Sequence, residues 1–180
     1  MVDITRLDRR QLAGLFEPQR QDNWRFTVPD LQVPGAQELE VAVESMNLPT
    51  TNIEEVELQF LNSTVYVAGK ASPEPSPLVI KDYIDLQVAR ALLEWHHLAF
   101  NPVTGRTGLA RDYKKRGRVE LFAPNGTAVR TWAMIGCWIP TMNPGALDMT
   151  SGDKVLVEAT IRFDRGIPNY ASWAPTQSLV

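Results

Sequence analysis

The sequence predicts an α+β domain, mainly an antiparallel β-sandwich or partly open barrel with one flanking helix. Three observations predict it. Apolar and polar residues alternate with a period of two in several long runs, among them Glu55 to Phe60 and Lys154 to Asp164. A single strong helical pattern occurs, from Asp85 to Phe100. Turn signals at Pro34-Gly35, Asn125-Gly126 and Pro144-Gly145 punctuate the runs.

Length and composition bound the possibilities. The chain has 180 residues, 44% hydrophobic and 22% charged, which suits one domain with a sizeable core, or one domain with arms. The expected divisions are an N-terminal arm over 1–22, a β-domain over 23–165 and a C-terminal tail over 166–180. The net charge is -3, which argues against a general nucleic-acid-binding surface. One cysteine, Cys137, excludes an intrachain disulfide and a cysteine-built zinc site, and its apolar surroundings predict a buried thiol. No apolar run reaches the ~20 residues of a spanning helix. The first ten residues carry Asp3, Arg6, Asp8, Arg9 and Arg10 and no signal-peptide pattern, which predicts a protein made in the cytoplasm.

Taken in order, Thr5 to Phe16 reads as a short amphipathic helix weakened by Gly14, followed by a polar linker through Asn23. Trp24, Phe26 and Val28 alternate with Arg25 and Thr27 in a strand that ends at Pro29. After the Pro34-Gly35 turn, Leu39, Val41 and Val43 alternate with Glu38, Glu40, Ala42 and Glu44, predicting a strand from Glu38. Asn47-Leu48-Pro49 breaks it. A long strand from Asn52 to Leu61 follows, with Val56, Leu58 and Phe60 set against Glu55, Glu57 and Gln59, and then another to Ala68. These strands have one apolar and one acidic face. The prolines in Ala71 to Pro77 predict a loop with no ladder, and Leu78 to Tyr83 reads as a short strand.

Asp85 to Phe100 is the helix, with Asp82 as its cap and Ile84, Val88, Ala91, Trp95 and Leu98 as its apolar stripe. His96 and His97 are adjacent and cannot pair as metal ligands at i, i+4, so they read as ordinary boundary histidines. Asn101 to Gly117 reads as a long polar loop holding the basic run Lys114-Lys115-Arg116, either a solvated face or a contact for an acidic partner. Arg118 to Phe122 and Thr127 to Ile139 form a hairpin through Asn125-Gly126. In its second strand Val129, Thr131, Ala133, Ile135 and Cys137 oppose Arg130, Trp132, Met134 and Trp138. Lys154 to Asp164 is the last strand and Gly166 to Val180 a polar tail. The count is about seven or eight strands around one helix.

Catalytic signatures are absent: no Gly-x-Ser-x-Gly, no His-Glu-x-x-His, no phosphate-binding loop and no Cys-x-x-Cys. The carboxylates of Glu38 to Glu57 repeat at strand spacing, as on a solvated sheet surface. No enzyme, cofactor or metal is expected.

Ordered features then point to a family. They are Asn23 to Val28, an aromatic-rich strand opening; Met46-Asn47-Leu48-Pro49, a strand ending in a Leu-Pro break; and Val65 to Gly69, a strand ending in Val-Ala-Gly. Trp95 follows in the second half of the helix, then Tyr113-Lys114-Lys115 in a loop. Gly136-Cys137-Trp138 stands ahead of Pro140, and the long last strand closes the series. In that order, over roughly Asn23 to Asp164, the chain resembles the tail tube proteins of contractile-tailed bacteriophages. It departs from them in its 71–77 loop and after Arg165.

The resemblance implies hexameric rings stacked into a tube, with strands of six subunits joined into one continuous inner β-barrel. It implies a sheath protein, baseplate and tail terminator proteins as partners, a ruler protein in the lumen during assembly, and phage DNA in transit. The place implied is the virion tail, with assembly in the host cytoplasm. If each subunit gave about four strands, ~24 strands at ~4.8 Å and a tilt near 40° would make a barrel about 48 Å across. Side chains would leave a bore near 38 Å for a duplex roughly 20 Å wide. A lumen lined by Glu38, Glu40, Glu44, Glu55 and Glu57 would repel phosphate, whereas lysine and arginine would hold it. The ring's formal charge is 6 × (-3) = -18. Tyr113, Lys114, Lys115 and Arg116 are the candidate subunit or ring contacts. Two other readings stay open: the tube of a related contractile machine (a secretion system or tailocin), and a soluble sandwich domain that binds a small ligand.

Overall fold

The computed structural model describes residues 18–170. The expected helix over Thr5 to Phe16 lies outside the described residues, as does the tail beyond Tyr170.

The strands are β1 (Trp24–Thr27), β2 (Val43–Met46), β3 (Thr51–Phe60), β4 (Ser63–Pro73), β5 (Ser76–Lys81), β6 (Phe100–Asn101), β7 (Arg106–Thr107), β8 (Lys115–Phe122), β9 (Ala128–Asn143), β10 (Leu156–Arg162) and β11 (Arg165–Tyr170). The helices are α1 (Leu39–Ala42), entered through a 3-10 turn at Ala36–Glu38, then α2 (Val88–Ala99) and α3 (Ala110–Tyr113). The main sheet runs β1-β8-β9-β10-β5-β2, with β11 also on β9. Its strands pair antiparallel. Its end strands do not pair with each other: a groove lined by Trp24, Arg25, Phe26, Glu40, Val43 and Glu44 separates β1 from β2. The result is the expected α+β architecture, mostly antiparallel sheet with few helices, with no closed barrel among the described residues.

β9 makes the sheet turn. Its first half pairs with β8 and β11, and its second half with β10. At the junction Gly136 has φ 71°, a left-handed conformation that suits glycine. The extra residue changes the inward set from Trp132 and Met134 to Cys137 and Ile139, all buried. The uniform alternation expected across β9 is therefore wrong, because a bulge shifts the face by one residue.

Phe26, Leu39, Leu92, Trp95, Met134, Ile139 and Ile161 meet in the core. α2 buries Val88, Ala91, Leu92 and Trp95. Full burial of apolar side chains of this size contributes roughly 1.5–3 kcal/mol each. The helix starts later than expected, with Gln87 at its N-cap and no side-chain cap, so Asp82 does not cap it. Ile84 precedes it and is fully exposed, and Leu98 is at the surface.

Other corrections have local causes. Glu38 to Ala42 is not strand. A helical turn there buries Leu39 and Ala42 at i, i+3 and leaves Val41 72% exposed, a pattern that short apolar runs do not separate from alternation. The prolines of 71–77 do not stop the ladder. Pro73 is the last residue of β4, opposite Thr51, and Pro77 lies in β5 opposite Thr160. Both sit near ladder ends, where a missing N–H is tolerated, and Pro77 gives its carbonyl to the Asn47 N–H. The 101–117 segment is not structureless: it holds β7, α3 and the start of β8. The first residues of the expected tail form β11 on β9.

Candidate assembly surface

Among the described residues β3 and β4 pair only with each other, from Thr51↔Pro73 to Phe60↔Ser63. They continue the β2–β5 ribbon away from the domain body, past a link from Glu74 N–H to Thr50 O. The turn holds Leu61 at φ 54°, and Leu61 is 94% exposed. Val56↔Val67 and Leu58↔Val65 place four apolar residues on one face, each 40–50% exposed. Glu55, Glu57 and Gln59 occupy the other, opposite Ala68, Tyr66 and Thr64. The alternation read from the sequence is therefore present here, on a ribbon with no body beneath it. Gly69 is needed in this ladder, since a Cβ there would lie 2.8 Å from Val56 and 2.9 Å from the Glu54 carbonyl.

The structure brings together Glu55 and Glu57 on this hairpin, but not the other three carboxylates. Glu38 accepts the Gln87 N–H at 2.7 Å and Glu40 accepts from Arg25 at 3.3 Å. Glu44 pairs with Lys154, whose hydrogen bond holds the carboxyl below its usual pKa. β2 runs antiparallel to β5, so Glu44 lies toward the end of that ribbon away from the hairpin.

The expected contact residues also separate. The Tyr113 ring packs on Trp138, centroids 5.5 Å apart, and its carbonyl accepts the Trp95 indole N–H at 2.8 Å. Lys114 Nζ donates to both oxygens of Asp164 at 2.8 Å. Lys115 is half-buried in β8 and Arg116 is exposed.

One charged cluster is absent from the sequence reading. Glu120, 6% exposed, accepts from Arg25 at 2.7 Å and pairs with Arg118 at 3.0 Å on the outer face of β1 and β8. The hydrogen bond to Glu120 raises the Arg25 pKa above its ordinary value. The signal was available: Arg25, Arg118 and Glu120 all fall on the polar side of their alternations. Among the described residues no group of three or more His, Cys, Asp or Glu side chains is placed to hold a metal.

No family model matches the chain, and no curated protein matches it. Solved structures do. A chain in the tube-terminating cap of the anti-feeding prophage superposes with TM-score 0.67 at 18% identity, covering 87% of this chain and 94% of that one. A chain in the sheath/tube terminator of the extracellular contractile injection system PVC gives 0.66 at 16%, covering 86% and 99%. A chain in the PVC sheath-tube complex gives 0.64 at 17%, covering 91% and 99%. The chain thus has the fold of the tube and terminator proteins of contractile injection systems.

Proposed function

We propose that the chain is a structural subunit of the inner tube of a contractile phage tail. Six copies close a ring, and rings stack into a conduit for genome ejection. The observation that carries this reading is the β3–β4 hairpin. A lone two-stranded ribbon is marginal in water, and its outer edges and apolar face invite a partner. A second copy of the same chain can supply that partner in every subunit at once.

Glu55 and Glu57 then line the bore and repel phosphate. Glu38, Glu40 and Glu44 contribute negative potential from the body, where each is already hydrogen-bonded. Lys115 and Arg116 contact acidic neighbours, while Tyr113 and Lys114 hold their loop in place. Sheath, baseplate, terminator and ruler proteins are the further partners. The tail is its place in the virion, and the host cytoplasm its place of assembly. The protein does no catalysis.

A second reading is a terminating ring, favoured by the superpositions on the cap and terminator chains. Electron microscopy of the purified protein tests both. Tubes of stacked six-fold rings are expected. Single rings that never stack would favour the terminator, and monomers at all concentrations would overturn both.

A further inference from the structure

Among the described residues, the outer face of the β8–β9–β11 sheet carries a second unpartnered apolar strip. Ile135 is 40% exposed and Ile167 47%. The registers Arg165↔Ile135 and Ile167↔Ala133 make the two isoleucines diagonal neighbours across β9 and β11. Trp132 and Met134, on the opposite side of β9, face the core, so nothing of the core reaches this strip.

We propose that this strip seats the β3–β4 hairpin of a second copy, the Val56, Leu58, Val65 and Val67 face packing on Ile135 and Ile167. The inference rests on the self-assembling reading above and names the surfaces that meet. Both surfaces are antiparallel sheet, which can stack face to face at ~10 Å. Their charges are opposite. The hairpin carries Glu54, Glu55 and Glu57 against Lys70, and the strands of the acceptor face carry Arg25, Arg118 and Arg165 against Glu120. Opposite net charges favour encounter of the two regions, and the apolar faces then set the orientation. The chain's own hairpin does not fill the strip, because its apolar residues stay exposed.

The rival apolar surface is net acidic, as the hairpin is. Ile84, Leu147 and Met149 are each at least 87% exposed, in loops joined by the Asp82 N–H to Val155 O bond at the other end of β5 and β10. Asp82, Asp85, Asp148 and Asp153 stand among them and outnumber Lys81 and Lys154. The seat joins two different patches, so the contact is heterologous: it closes a ring if the rotation closes, and otherwise runs on. It also leaves the Glu55 and Glu57 face pointing away from the acceptor.

The test places cysteines at both surfaces of one chain, Leu58→Cys with Ile167→Cys, and adds a short bis-maleimide. The natural thiol does not compete, since burial pushes Cys137 up to about 12. A ladder of covalent oligomers is expected from the double variant and none from either single variant. Rings or tubes in the microscope without a ladder would overturn the seat and spare the tube. So would a ladder from Leu58→Cys with Leu147→Cys in its place. Monomers throughout would overturn both. As a second measurement, Ile167→Glu, with an unchanged thermal melt, should raise the concentration needed for assembly at least ~10-fold, the effect of losing about 1.4 kcal/mol. Assembly at the wild-type concentration would overturn the seat.

Discussion

Asp164 holds Lys114 with both carboxylate oxygens, and the same carboxylate occupies the space that a Cβ at Gly136 would need. That Cβ would lie 2.2 Å from Asp164 Oδ2. The bulge that turns β9 is thereby tied to the loop that ends in Lys114.

Gly136→Ala should destabilise the domain by about 1–3 kcal/mol, because alanine resists φ 71° and displaces Asp164. Asp164→Ala should cost no more than about 1 kcal/mol, as the Lys114 pair is 32% and 53% exposed. Denaturant midpoints of the two variants check the order; equal losses would place the strain elsewhere.

Trp95→Phe should cost about 1–3 kcal/mol. The ring volume is largely kept, yet the Tyr113 carbonyl loses its indole N–H in a site where Trp95 is fully buried. Urea unfolding measures it. A loss below ~0.5 kcal/mol would mean that water replaces the donor.

Glu44 supplies a pH dependence of known sign. Its folded pKa lies below the ordinary 4.5, chiefly through the Lys154 hydrogen bond. The stabilising contribution is therefore complete above the unfolded pKa and is lost as pH falls through the lowered folded value. Wild type should exceed Glu44→Gln in denaturant midpoint at neutral pH, and the gap should close in acid. A gap that widens in acid would reverse the assignment.

Glu55→Lys with Glu57→Lys should leave tubes intact in the microscope but slow DNA release from tails built with them. Release at the wild-type rate would place the bore against another face.

What the sequence discloses divides along physical lines. β10 was legible because Val157, Ala159 and Ile161 are buried in strict alternation. The hairpin was legible because its two faces differ in polarity, although alternation did not tell that neither face meets the body. The 36–42 turns were not legible, since Leu39, Val41 and Val43 fit period two while only the helical pair Leu39 and Ala42 is fully buried. β11 hid behind Pro168, which is tolerated at a sheet edge. Among the candidate site residues, Glu55 and Glu57 share one face of β3. Glu38 and Glu40 lie apart from them, and alternation could not show it because their partners, Gln87 and Arg25, are distant in sequence.

The detachment of the hairpin has a consequence for timing. The 51–73 ribbon closes through contacts local in sequence and contributes no residue to the buried core, so in a free subunit it should open on its own. Its amide protons should exchange with solvent far faster than those of β9, and slow together when copies meet. On the proposed assembly a free subunit would carry a latch that is only partly formed, and joining another copy would have to order it first. If copies assemble as proposed, elongation onto an existing template would outrun spontaneous nucleation, and newly made subunits would wait for a starting platform.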